Sequence, residues 1–155
     1  MTLRAAVRYP IVMGLVWTLF SCSPCGNADA PISTYEFEFT VVDRETGEDL
    51  IFGENATLDP DGFQLYSFRG TDRVSHPLIP YELELTLGYS AISADIRGVQ
   101  GDLYLEYPDG NIDTLQAFFD RRETECWGTI ESVQQITRNG SEVYDNIYEV
   151  LLFEY

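Results

Sequence analysis

The sequence carries one histidine and no lysine, which removes most of the usual parts for moving protons or activating a nucleophile. A serine–histidine–carboxylate arrangement would have to use His76. That residue sits in Ser75-His76-Pro77, a proline-bounded stretch that reads as an exposed loop. Zinc held by nitrogen and sulfur needs four ligands; one histidine and two spare cysteines do not supply them. Calcium takes oxygen ligands at alternate positions of a loop, closed by a further carboxylate. Asp109, Asn111 and Asp113 alternate in that way, and Asp120 lies where the closing group would stand. Thr114, however, occupies the place of the motif's glycine, and the spacing crosses a hairpin signal. In a chain with 26 acidic residues such spacings also arise by coincidence. Asp59 and Asp61 form a second acidic turn. Nothing singles out a carboxylate pair for glycoside hydrolysis. The tyrosines are spread through segments where sheet packing accounts for them, so no glycan-binding face is indicated. The expectation is a non-enzymatic chain without a cofactor, with a calcium- or small-ligand-binding domain as the alternative.

More specific chemistry lies at the N-terminus. Arg4 and Arg8 precede an uncharged apolar run from Ile11 to Phe20. That run is too short for a hydrocarbon core of roughly 30 Å, and its flanks suit a signal peptide. Leu19-Phe20-Ser21-Cys22 resembles the bacterial lipobox, in which a leucine and a small residue precede a cysteine that is acylated and becomes the new N-terminus. Phe20 is larger than the residue usual there. Cleavage at Gly26-Asn27-Ala28 or Ala28-Asp29-Ala30 is the competing route and would give a soluble secreted domain; Pro31 disfavours the latter site. An odd cysteine count in an exported protein needs a reason. If Cys22 carries lipid, Cys25 and Cys126 remain as a candidate disulfide in a compartment that permits one. The plain alternative for Cys126 is a small buried hydrophobe beside Trp127. Residues 1–21 thus read as a lipoprotein signal peptide, 22–33 as a flexible stalk rich in small residues, and 34–155 as one domain.

Charge narrows the partners. The full chain has a formal charge of −17, and removing residues 1–21 takes two arginines and no acid. Such a surface repels phosphate backbones and anionic headgroups, which excludes nucleic acid and leaves lipid as the membrane tether. Self-repulsion of this size destabilises a compact state in dilute buffer. At molar salt, where the Debye length is about 3 Å, most of that cost disappears. The composition therefore points to a high-salt setting; an arginine-preferring genome explains the missing lysine but not the acidic excess.

The elements that must position these groups are short and alternating. Tyr35, Phe37, Phe39 and Val41 alternate with polar residues, as do Tyr81, Leu83, Leu85 and Leu87, which is the period of a half-buried strand. Further strands are expected at 50–52, 63–68, 90–97 (weakly), 102–107, 112–119, 129–138 and 142–153. Asp59-Pro60-Asp61-Gly62 marks a turn. Pro108-Asp109-Gly110-Asn111 and Asn139-Gly140-Ser141 are hairpin signals. Arg69–Pro80 and Asp120–Gly128 read as loops. No segment of ten or more residues holds a helical period, so the expected fold is all-β: a single antiparallel β-sandwich, Ig-like or transthyretin-like, of about 7–9 short strands.

Two resemblances follow from these motifs. Phe39 to Leu50, with Val-Asp leading into a Thr-Gly turn, resembles the opening of transthyretin-like and carboxypeptidase-regulatory-like sandwiches. Val41 to Gly70, with Gly110 to Leu115 and Cys126, is similar to a group of uncharacterised Bacteroidetes-type lipoproteins built as lipobox, stalk and one β-domain. That resemblance implies export, a lipid anchor on the cell envelope and a β-sandwich. It carries no catalytic residue over and leaves a protein or glycan partner undefined.

Overall fold

A computed structural model of the chain describes residues 31–82 and 90–155. The expectations for Cys22 and Cys25, and for positions 83–87, lie outside the described residues. Ten strands are described: β1 (Glu36–Val42), β2 (Gln64–Arg69), β3 (Asp72–His76), β4 (Leu78–Glu82), β5 (Ser90–Asp95), β6 (Leu103–Glu106), β7 (Ile112–Thr124), β8 (Gly128–Arg138), β9 (Glu142–Tyr144) and β10 (Leu151–Glu154). They form two sheets, ordered β10-β1-β5-β4 and β3-β2-β6-β7-β8-β9. The expected all-β sandwich is the observed architecture, with two departures: ten strands are described where about 7–9 were expected, and β10 pairs with β1 in parallel.

Burial explains why these segments are strands. Phe37, Phe39 and Val41 of β1 face inward and meet Leu65, Leu103, Leu105 and Leu115 of the larger sheet. Phe39 stacks on Phe153 of β10 at 5.1 Å, so the C-terminal strand is held by aromatic contact as well as by its ladder. Val133 and Ile136 are both fully buried although three residues apart, which strict alternation forbids. A bulge resolves this. Register shifts between Phe118 and Phe119, leaving Gln134 as the extra residue on β8.

Four expectations are corrected. Leu50–Phe52 is a turn, not a strand. The Asp49 carboxylate accepts from the backbone N–H groups of Ile51 and Phe52 at 2.7 and 2.8 Å and from the Thr40 hydroxyl at 2.8 Å. This local bonding outcompetes a ladder while still burying Ile51. Arg69–Pro80 is not a long loop, because Gly70 at φ +66° opens a two-residue hairpin turn between Arg69 and Asp72. Pro77 alone then carries the chain from β3 in one sheet to β4 in the other. Asp120–Gly128 is largely paired strand: β7 and β8 continue as a two-stranded ribbon to Thr124 and Gly128. Its charged residues mask the strand pattern because both faces of the ribbon meet solvent. Finally, 142–153 is two strands in different sheets, divided by a turn over residues 145–150.

Candidate functional site

The proposed calcium ligands are the natural place to begin. Asp113 occupies a core-facing position of β7, and Arg138 a core-facing position of β8 opposite Leu115. Both are buried. Arg138 Nε donates to Asp113 Oδ2 at 2.5 Å, Tyr107 Oη donates to the same oxygen at 2.6 Å, and Asn139 Nδ2 donates to Oδ1 at 2.6 Å. Arg138 also donates to Glu142 Oε2 and to the Glu154 carbonyl, both at 2.8 Å, and its guanidinium lies 5.3 Å from the Phe153 ring. Burial alone would raise the Asp113 pKa, but the hydrogen bonds from Tyr107, Asn139 and Arg138 hold it below the usual carboxylate range. Burial works against the Arg138 charge too, and its anionic neighbours hold its pKa up. Burial and the bond to Asp113 push the Tyr107 phenol well above its ordinary value. Burial and Glu142 push Tyr144 up to about 12. These donors engage both Asp113 oxygens from inside the protein.

The other three candidates are elsewhere. Asp109 and Asn111 form the exposed β6–β7 turn, bonded to each other and to the Tyr155 hydroxyl. Tyr155 stacks on Tyr107 at 5.0 Å, so this turn is closed down onto the C-terminus. Asp120 is seven residues along β7 from Asp113, about 23 Å away at strand rise, and binds Arg122 at 2.7 Å. The structure therefore does not bring the four together. Among the described residues, no group of three or more His, Cys, Asp or Glu side chains is placed to share a metal ion. An acidic surface cleft of about 170 Å³, lined by Glu48, Asp49, Gly53, Glu54 and Asn55, is a separate feature. Its Asp49 is already committed to the turn it caps.

His76 corrects a further expectation. It is buried at the end of β3, not exposed on a loop. Its Nε2 lies 2.9 Å from the buried Ser67 hydroxyl, on the core side of the β2–β3 hairpin. Burial lowers its pKa, opposed by the charge of Asp95. Proline after histidine signals a loop when read locally; here that proline is the corner between sheets. The buried serine–histidine pair faces the core and ties β2 to β3.

The feature that sequence reasoning missed is the outer face of the six-stranded sheet. Tyr66 and Tyr104 are direct cross-strand partners and stack at 5.4 Å, and Phe68 meets both edge-on. Arg73 lies 3.5 Å from the Tyr66 ring centroid and donates to Gln64 at 2.8 Å and Glu106 at 3.3 Å. Phe68, Ile112, Phe118 and Val143 remain exposed on this same face, each by 45% or more. Aromatics at positions 66, 68 and 104 alternate with core residues in sequence. Only register places them side by side, and register was not legible.

The second exposed feature is the ribbon tip. Cys126 and Trp127 belong to the three-residue connection between Thr124 and Gly128, which closes on Gly128 at φ +68°. Thr124 Oγ1 accepts from Trp127 N at 3.0 Å and donates to the Gly128 carbonyl at 2.9 Å, fixing the turn. Cys126 is disulfide-bonded, and its partner lies outside the described residues. At the ribbon's base, Thr34 pairs in parallel with Ser132, donating to the Glu131 carbonyl at 3.0 Å and accepting from Val133 N at 2.9 Å. Ser33 Oγ accepts from Glu131 N, so the end of the expected stalk already runs along β8.

No family model, curated protein or solved structure matches this chain. The functional reading rests on these residues.

Proposed function

We propose that this chain is an exported, lipid-anchored β-sandwich of the cell envelope, acting by recognition and adapted to high salt. The observation that carries the reading is the disulfide at Cys126. Disulfides persist in oxidising compartments, outside the cytosol, and the sequence begins with a signal-like segment ending at Leu19-Phe20-Ser21-Cys22. With Cys22 acylated, the remaining two cysteines pair and the odd count is explained. Recognition is favoured over catalysis because the buried ionisable groups, Asp113, Arg138 and His76, are bonded to one another or to core neighbours. What the larger sheet leaves exposed on its outer face is Phe68, Ile112, Phe118 and Val143.

Three measurements test this. The membrane-extracted protein is expected to start at Cys22 with added acyl mass and to gain two hydrogens on reduction. A chain starting near Asp29 without lipid would replace the anchored reading with a soluble secreted one. A photo-crosslinking residue at Phe118 is expected to trap a partner in intact cells, while one at exposed Leu152 on the other sheet is not; equal labelling would remove the sheet face from the proposal. Domain stability is expected to rise from dilute buffer to molar salt as acidic self-repulsion is screened. Equal stability in both would sink the halophilic part.

A further inference from the structure

Resting on the recognition reading, we infer that the outer face of the six-stranded sheet binds a second copy of this chain, packed face to face about a twofold axis along β7. Strand register carries this pairing. Ser67 pairs with Leu103, Leu103 with Leu115, Leu115 with Arg138, and Thr137 with Val143. Phe68, Asp102, Gln116, Thr137 and Val143 therefore lie in one row across the outer face, with Gln116 of β7 at its middle. Phe68 and Val143 stand at the two ends, two strands to either side of β7 and about 19 Å apart at ordinary strand spacing. Ile112 and Phe118 sit on β7 itself, one to each side of that row. A twofold axis along β7 exchanges the ends of the row and lays β7 on its own counterpart, with strands aligned as in packed sheets. Phe68 of one copy then meets Val143 of the other, while Ile112 and Phe118 each meet their equivalents. One operation gives all four of these exposed apolar side chains an apolar partner.

Charge selects the same occupant. Two chains of formal charge −17 repel, and they meet most readily where acid is compensated. On the smaller sheet Glu36 and Asp95 are direct cross-strand partners, and Glu38 and Glu154 share that outer face. On the larger sheet Glu106 is bridged by Arg73 at 3.3 Å, and Asp102 accepts from Gln116 at 2.9 Å. The axis sets Asp102 over Thr137 of the second copy, away from its own equivalent, and leaves Arg73 on edge strand β3 outside the contact. A flat sugar is a poorer occupant, because the Tyr66 ring is stacked on Tyr104 at 5.4 Å and covered by Arg73 at 3.5 Å. The patch between the four apolar side chains measures roughly 19 Å by 20 Å. That is small beside a permanent interface, so the pairing is reversible.

The test uses the full-length protein as the cell processes it, in detergent at matched solvent density. Sedimentation equilibrium is expected to show the mass rising from one copy toward two with protein concentration. Association should strengthen from dilute buffer to molar salt as the mutual repulsion is screened. One copy at every concentration and salt would overturn the inference. Phe68→Arg and Val143→Glu each set a charge against an apolar partner and should weaken association by about tenfold or more. Their unfolding midpoints should stay unchanged, because both positions are exposed. The variant carrying both substitutions should regain association at the same ionic strength, since each new cation then meets a new carboxylate across the axis. A double variant that associates no better than the singles would overturn the pairing. A photo-crosslinker at Phe118 should join two copies, seen as a mixed adduct when isotope-labelled and unlabelled protein are combined. Adducts with another protein alone, formed from Phe118 and not from Leu152, would overturn the inference and leave the recognition reading standing. Equal labelling from Leu152 would remove the face from both.

Discussion

The two ends of the β7–β8 ribbon use the same chemistry, a carboxylate facing an arginine, in opposite surroundings. At the inner end Arg138 and Asp113 are almost entirely shielded from solvent and share their bonds with Tyr107, Asn139 and Glu142. At the outer end Arg121 bridges Glu131 at 3.7 Å and Arg122 bridges Asp120 at 2.7 Å, with both arginine side chains mostly in water. The outer distance of 2.7 Å is nearly as short as the inner one, so pairing distance does not separate the two ends. Burial does, because an unpaired buried charge has no water to turn to.

Arg138→Met is the sharpest way to break the comparison. It leaves Asp113 buried without its cation and is expected to cost about 3–5 kcal/mol in denaturant unfolding. Adding Asp113→Leu should recover much of that loss, since a matched apolar pair has no uncompensated charge. A loss below about 1 kcal/mol for the single variant would mean that the inner pair behaves like a surface one.

Acid probes the same pair without mutation. The folded-state pKa of Asp113 lies below the unfolded value of about 3.9. Its contribution is therefore complete above about pH 4 and is lost as pH falls through the folded value. His76, whose folded pKa is also lowered, stays neutral in the core. Its contribution is complete above the unfolded value of about 6.5 and declines as pH falls below it. Stability measured against pH should thus drop in two stages, with the earlier stage absent in His76→Gln. A profile flat down to pH 4 in the natural protein would remove the buried histidine from this account.

How much of this was legible is clear at particular residues. The inward set of β1 could be read directly, because Phe37, Phe39 and Val41 alternate without interruption. Asp113 and Arg138 also sit at core-facing positions, and a charge that interrupts the apolar side of a strand is a signal for a buried pair. The acidic spacing around Asp113 drew attention to calcium because ligand motifs are local, whereas Arg138 is 25 residues away. The Tyr66–Tyr104 stack, the bulge at Gln134 and the parallel β1–β10 pairing depend on register between distant segments, which period-two patterns do not encode. Leu50–Phe52 was misread for the opposite reason: its apolar run fits a strand, and one aspartate side chain decides otherwise.

Asp49→Ala tests that last point and sits between the extremes. It removes the acceptor for two backbone N–H groups and the Thr40 hydroxyl at a partly buried turn. The expected loss is about 1–2 kcal/mol, as for caps of this kind. Asp49→Asn should restore part of it, since its amide oxygen still accepts. Equal losses for both would assign the effect to charge rather than to the bonds.

The smallest effect belongs to the outer end. Arg121→Gln removes a bridge to Glu131 across the ribbon at 3.7 Å and another to Glu123 at 3.8 Å. Two solvated side chains gain little by meeting, so the expected change is under about 1 kcal/mol in dilute buffer. In molar salt it should vanish, because the Debye length is then shorter than the pair's separation. The Arg138→Met loss should persist in the same salt, since ions do not reach a pair closed over by Tyr107 and Phe153. Measuring both variants at both ionic strengths separates burial from charge. If the Arg121 effect survives molar salt, the ribbon is stiffer and drier than its exposure implies.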